Sequence, residues 1–333
     1  MKLFITKFLY FSLIGIIPVI LLAVLYFCFD PFQVLRCYED YSYPYVVGNR
    51  DYISTTMFIK NREKYHYNSF VFGSSRTLAY QPDSWKRFLA AADRPFMFDA
   101  SCESVDGIYR KLNYLDATHV EIKNALIILC RDVSFEVAAN HKGHLFIQHP
   151  ATTGLSEFSF QSEFFKAYFN PKFLLNFYGY QILGGYRPFM AGFIENRKTT
   201  FDTITNQIKI IDQEKEIMSN PKAYYEKHFN AFPKRSGERT DSIQRINRQQ
   251  LVWLKGIVLL LEKNHTNYKV VLSPLYEQIR FSNADRKILK DIFGKHLFDF
   301  TGKNRFTDPM TNYYEKNHYR PIVGDSILNI IYH

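Results

Sequence analysis

Five short apolar runs, at residues 69–73, 96–100, 125–130, 269–272 and 297–300, constrain the fold of this chain more than any other feature. Each is bounded by polar or turn-forming residues, as strands are. Several are continuously apolar: Phe70-Val71-Phe72 and Leu126-Ile127-Ile128-Leu129 offer no polar position that could face water. A strand of that kind needs cover on both faces, the condition of a strand in a parallel sheet flanked by helices. Helical patterns lie between the runs. Residues 105–115 carry Ile108, Leu112 and Leu115 on one face, and 242–264 carry Ile243, Ile246, Leu254, Val258 and Leu261 at helical spacing, with Asp241 or Ser242 placed to cap them. Further helical patterns fall at 283–293 and 323–331. Strands alternating with helices imply an α/β domain with a mainly parallel sheet.

Upstream of this pattern, residues 8–29 contain no charge and are long enough to cross a hydrocarbon core of roughly 30 Å. The run ends in Tyr26-Phe27-Cys28-Phe29-Asp30-Pro31, which lacks the small residues of a signal-peptide cleavage site. Residues 1–29 therefore read as an uncleaved transmembrane anchor. Lys2 and Lys7 put the N-terminus in the cytoplasm and the main domain outside it, in the periplasm or its equivalent. Residues 30–68 read as a Tyr-rich connector and 69–333 as the main domain, with an insertion at about 135–240 where the strand–helix rhythm breaks. A loop that long is not structureless in a folded domain, so the insertion is expected to hold helices of its own and to flank or cover the active face. Its tail, Pro233 to Arg239, reads as an exposed linker.

The net charge of +10 suits an anionic membrane face or an acidic polymer, but the basic residues are dispersed, no binding motif is present, and nucleic acid is not an expected partner. The four cysteines have no metal-binding spacing; Cys102 and Cys130 are expected as buried free thiols, with a disulfide between them the alternative. His141, His144 and His149 lie in a polar stretch and read as surface histidines rather than metal ligands. No metal or other cofactor is expected.

Chemistry concentrates at two segments. Phe72-Gly73-Ser74-Ser75-Arg76 follows the first strand, and Glu315-Lys316-Asn317-His318-Tyr319-Arg320-Pro321 precedes the last helix. In an open parallel sheet, ligands bind beyond the carboxyl ends of the strands. A serine there presents its hydroxyl beside free backbone N–H groups, which can stabilise an oxyanion. A histidine with a carboxylate three residues before it supplies a general base and the group that orients it. Each segment alone reads as a helix cap or a solvated surface run; their joint placement favours the catalytic reading.

These residues resemble the SGNH/GDSL hydrolase family: Gly73-Ser74-Ser75 is similar to its block I Gly-Asp-Ser, and Glu315-x-x-His318 to its block V Asp-x-x-His. The likeness is nearest to single-pass membrane-anchored members with a Phe-Gly-Ser-Ser-Arg motif, and it covers roughly residues 68–130 and 269–333. It implies a flavodoxin-like three-layer sandwich, Ser75 rather than Ser74 as nucleophile, His318 as base and Glu315 as acid, with Asp308 the fallback. Where the family has a block II glycine, this chain has Ser101-Cys102-Glu103, so the Ser101 N–H, or else Gly107, is the candidate oxyanion donor. At the block III position the third strand ends Cys130-Arg131-Asp132, and no donor is assigned. Arg76 and Arg131 either bind an anionic substrate and stabilise negative charge or pair with local carboxylates.

The resemblance implies an extracytoplasmic serine-dependent O-acyltransferase or esterase acting on a cell-envelope polysaccharide or lipid. Some relatives work beside multi-span membrane O-acyltransferases. The alternative is a non-catalytic protein that keeps the fold for glycan binding or for assembly with such a partner.

Overall fold

The computed structural model describes residues 2–136 and 142–333, with the side chains of residues 2, 3, 5, 8, 9 and 11–14 outside the described set. Its central strands are β1 (Ser69–Gly73), β2 (Pro95–Met97), β3 (Asn124–Leu129), β4 (Asn267–Leu272) and β5 (Leu297–Asp299). They pair in parallel throughout, in the order β2-β1-β3-β4-β5. The expected α/β architecture with a parallel sheet is what the chain adopts. The 96–100 run continues past β2 as backbone alongside β1, where the Phe98 and Ala100 N–H groups donate to the Val71 and Gly73 carbonyls at 2.9 and 3.2 Å.

The continuous apolar runs are explained by cover on both faces. Phe70, Phe72, Ala125, Ile127 and Leu129 point to one side, beneath helices Arg50–Tyr65, Val105–Ala117, Arg248–Lys263 and Asn283–Phe293. Val71, Leu126 and Ile128 point to the other, beneath helix Pro321–Tyr332, the Ser75–Ala79 turn and helix Pro221–Lys227. Fully buried side chains such as Phe58, Leu112 and Leu254 each contribute about 1.5–3 kcal/mol through loss of apolar surface to water.

Two helices differ from the sequence expectation. The pattern at 242–264 becomes a helix only from Arg248, because Asn247 and not Asp241 or Ser242 closes its N-terminus. The Asn247 carboxamide accepts the Gln249 and Gln250 N–H groups, and the Gln250 side chain accepts the Asn247 N–H. Asp241 is instead held by Arg131 and Arg245. The second difference is Arg50–Tyr65, a helix inside the segment read as a connector, capped by Asn49. Its buried face combines Ile53, Met57 and Phe58 with Arg50, Asp51, Ser54 and Thr55, so polar residues interrupt its apolar periodicity.

The region between β3 and β4 contains helices Glu157–Tyr168 and Pro171–Leu183, the antiparallel hairpin Thr199–Phe201/Ile208–Ile210, and helices Ile211–Ser219 and Pro221–Lys227. The first two form a separate aromatic cluster with Phe32, Val46 and Tyr26. Residues Lys2–Phe29 are helical. Among the described residues no helix is long and apolar enough to cross a membrane; the first part of the 8–29 run falls on side chains outside that set.

Candidate functional site

The order β2-β1-β3 makes the carboxyl ends of β1 and β3 the point where the chain turns from one half of the sheet to the other, the usual ligand crevice of such sheets. Gly73 ends β1 with φ +146°, and a Cβ there would lie 2.6 Å from the Ile128 carbonyl oxygen, so only glycine lets β1 run this close to β3 into the turn. Ser74 is buried; its carbonyl accepts the Thr77 N–H and hydroxyl, both at 2.9 Å, and its hydroxyl faces Cys130 Sγ at 3.5 Å. Ser74 therefore closes the turn. Ser75 opens the 3-10 helix Ser75–Ala79, so its N–H has no carbonyl one turn back. Helix Pro321–Tyr332 packs directly on this turn at Gly324, where a Cβ would lie 1.9 Å from the Ala79 carbonyl oxygen.

Ser75 Oγ lies 2.8 Å from His318 Nε2. His318 Nδ1 is hydrogen-bonded to Glu315 Oε1, and Glu315 Oε2 accepts the Asn317 N–H at 2.8 Å. The spacing of three is not a helical turn. Tyr313–Glu315 and His318–Tyr319 are antiparallel strands, and Glu315 and His318 are cross-strand partners around the tight turn Lys316-Asn317. Directly opposed residues bring their Cβ atoms to about 4.5–5.5 Å, within reach of a glutamate–imidazole bond. The Nδ1 proton on the Glu315 side leaves Nε2 free to accept the serine proton. Burial pushes the Glu315 carboxyl up. The hydrogen bond to His318 and the electrostatic interaction with its ring, the Asn317 N–H and the Arg76 charge outweigh it, and the group is held below its ordinary range.

Arg76 joins the two halves of the site. Its Nη1 and Nη2 donate to Asp132 Oδ1 and Oδ2 at 2.8 and 2.6 Å, and its Nε donates to the Asn317 carbonyl at 2.8 Å. The side chain is buried and fully engaged, so Arg76 braces the serine turn, the end of β3 and the histidine hairpin rather than meeting substrate. Arg131 points away: it pairs with Asp241 and Glu277 at 2.6 and 2.8 Å. Asp308 accepts from Gln278 at 2.7 Å and does not reach His318.

A cavity of about 140 Å³ opens beside Ser75 and His318. Ser101 lines it, and the Ser101 N–H has no hydrogen-bond partner among the described residues. The next residue, Cys102, is held in the left-handed region at φ +52°, a conformation glycine adopts readily and a side chain resists. Gly107 lies outside this lining. It sits in helix Val105–Ala117 against the Glu103 carboxylate and the Gln148 amide, because the helix needs the room there. None of residues 130–132 lines the cavity either. Its other walls include Ile53 and Leu78 from the core and Glu195, Arg197, Phe201, Ile208 and Ile210 from the insertion.

A buried charge network begins at the cavity lining, with Arg50 and Asp99, and continues behind it. Arg50 pairs with Asp99 at 2.7 Å, and Lys111 with Asp51 and Glu103 at 2.8 and 2.5 Å. Asp99 also accepts the Thr77 hydroxyl at 3.1 Å, tying the serine turn to the loop that carries Ser101. Three carboxyl groups against two cations leave the network short of positive charge. Burial first, then the charges of Asp51 and Asp99, push the Glu103 carboxyl up to about 7 against the pull of Lys111.

Cys102 and Cys130 are free thiols. The His144 ring packs 4.9 Å from Phe32, and His149 caps helix Pro150–Thr153 and stacks on Tyr52; His141 lies outside the described residues. Among the described residues no three His, Cys, Asp or Glu side chains form a metal site. Sequence reasoning missed Asp132, Arg50, Asp99, Arg197 and the 199–210 hairpin, because each acquires its role from a partner more than forty residues away or from an insertion without a motif. The one local signal was the adjacent Arg50-Asp51 pair in an otherwise uncharged stretch. No protein-family model matches the chain, and no curated protein matches its sequence.

Proposed function

We propose that this chain is a membrane-anchored, extracytoplasmic O-acyltransferase or esterase of the SGNH type, acting on a cell-envelope glycan or lipid through an acyl-enzyme. The observation that carries the reading is the chain of contacts from Ser75 Oγ through His318 to Glu315. His318 Nε2 takes the Ser75 proton as Oγ attacks the acyl carbonyl. The Ser75 and Ser101 N–H groups face the oxygen that gains charge. The His318 proton then passes to the departing alkoxide, leaving the acyl group on Ser75. A sugar hydroxyl or water gives its proton to Nε2 and attacks the ester, and Nε2 passes that proton to Ser75 Oγ as the serine departs. The cavity of about 140 Å³ has the room of a benzene-sized group, which suits a short acyl chain. Arg197 and Glu195 at its wall suit a hydroxyl-rich acceptor.

A second reading, a non-catalytic partner of a multi-span membrane acyltransferase that keeps this fold, is favoured by one observation: the end of β3 brings no donor to the cavity. A fluorophosphonate probe separates the two. Labelling of the full chain that is abolished in Ser75→Ala and retained in Ser74→Ala supports the enzyme. Folded protein that never labels supports the scaffold.

A further inference from the structure

The two insertion helices beside the N-terminal helix carry an apolar surface that the protein leaves uncovered. Helix Pro171–Leu183 buries Phe173 and Phe177 in the aromatic cluster, while Leu175 and Ile182 on another side are 68% and 82% exposed. A helix apolar on more than one side belongs in a protein core or in lipid, and only one side of this helix is in a core. Phe158, at the start of helix Glu157–Tyr168, is 84% exposed, and Phe189 just beyond the second helix is 58% exposed. Exposed Lys166, Lys172 and Phe189 together give the mixture of cationic and apolar groups found at lipid interfaces.

The neighbouring helix identifies what covers this surface. Tyr26 packs against Phe165 and Tyr168 with ring centroids 5.5 and 5.1 Å apart, Phe29 lies 6.3 Å from Phe177, and Leu22 packs on the same cluster. The uncharged run 8–29 is about 33 Å long at 1.5 Å per residue, close to the roughly 30 Å of a hydrocarbon core. Leu22 lies about 10 Å short of its outer end by the same rise. A run seated in a bilayer therefore puts Leu22 within the outer leaflet, and segments that touch Leu22 and Tyr26 at the level of the lipid surface. We propose that helices Glu157–Tyr168 and Pro171–Leu183 dock on the outer leaflet of the bilayer that the N-terminal helix enters, with Leu175 and Ile182 immersed among its lipids. The same insertion supplies the hairpin that walls the cavity, so docking holds that wall at the membrane surface. The inference rests on the anchor reading of residues 1–29.

The test uses the full chain reconstituted into phosphatidylethanolamine/phosphatidylglycerol vesicles made with or without acyl-chain-brominated lipid, which quenches tryptophan at short range. Leu175→Trp and Ile182→Trp are compared with the parent, whose Trp85 and Trp253 set the baseline, and Val19→Trp reports on the anchor. Docking predicts that bromine removes about half or more of the added emission at 175 and 182, with quenching at 19 as well. Quenching at 19 without quenching at 175 and 182 overturns docking and leaves the anchor intact. Absence of quenching at 19 overturns the anchor and docking with it. Added tryptophans protected from aqueous acrylamide yet unquenched by bromine assign the surface to a second copy of the chain, which also overturns the proposal.

Discussion

In a Glu315→Gln variant, the new amide keeps its oxygen on the Asn317 N–H and turns its NH2 group toward His318 Nδ1. The imidazole must then accept at Nδ1 and carry its proton on Nε2, where it donates to Ser75 Oγ instead of taking its proton. The variant also lacks the charge that stabilises the imidazolium. An imidazolium and a carboxylate with centres about 4 Å apart attract by about 4 kcal/mol at an effective dielectric of 20. That energy corresponds to about three decades in rate. The Glu315 side chain is 29% exposed, so solvent screens part of the interaction. The expected loss is about 10²- to 10³-fold in the rate of Ser75 acylation, below the ~10⁴ of a fully buried triad aspartate. The assay is the burst of p-nitrophenol from p-nitrophenyl acetate alongside the rate of fluorophosphonate labelling. Glu315→Asp, shorter by one methylene, should lose about tenfold, consistent with a weakened but still anionic partner. A Glu315→Gln chain that reacts within about threefold of the parent, a change of under 1 kcal/mol, at unchanged melting temperature would refute the assignment of Glu315 as the triad acid. The same carboxyl has a stability signature. Its folded pKa lies below the ordinary value of 4.5, so its contribution is complete above that pH and is lost as pH falls through the depressed value.

Two further outcomes follow from the packing around the site. Gly324→Ala inserts a methyl group 1.9 Å from the Ala79 carbonyl oxygen and should cost about 3 kcal/mol in urea denaturation, at the upper end of overpacking penalties, while slowing labelling of Ser75; an unchanged midpoint would contradict the close approach of the C-terminal helix to the serine turn. Glu103 is pushed up to about 7 from 4.5, so the folded state holds a proton that the unfolded chain releases, and this contribution is full below pH 4.5 and lost as pH rises through about 7. Glu103→Gln should flatten the fall in melting temperature between pH 5 and pH 8; an identical slope in variant and parent would place the shared proton elsewhere.

Much of this arrangement was legible in the order of residues along the chain. A strand segment buried on both faces must be apolar at every position, and Phe70–Phe72 of β1 and Ala125–Leu129 of β3 announce themselves that way. Gly73 before Ser74-Ser75 marks a turn that only glycine allows beside β3, and a histidine with a carboxylate three residues earlier marks an orientable base. Tertiary structure alone decided the rest. It made the Glu315/His318 spacing a cross-strand pair, because the hairpin is stabilised by packing of Tyr313, Tyr314 and Tyr319 beneath it. It turned Arg76 into a brace and aimed Arg131 away from the cavity, because the fate of a guanidinium depends on which carboxylates the fold brings near, and Asp132 and Asp241 are assigned by topology. It built a helix from residues 50–65 whose polar buried face is stable only with Asp99, Glu103 and Lys111 already in place. Local patterns record which side chains must leave water; pairing between distant charges has no local record, and that pairing sets the geometry around Ser75.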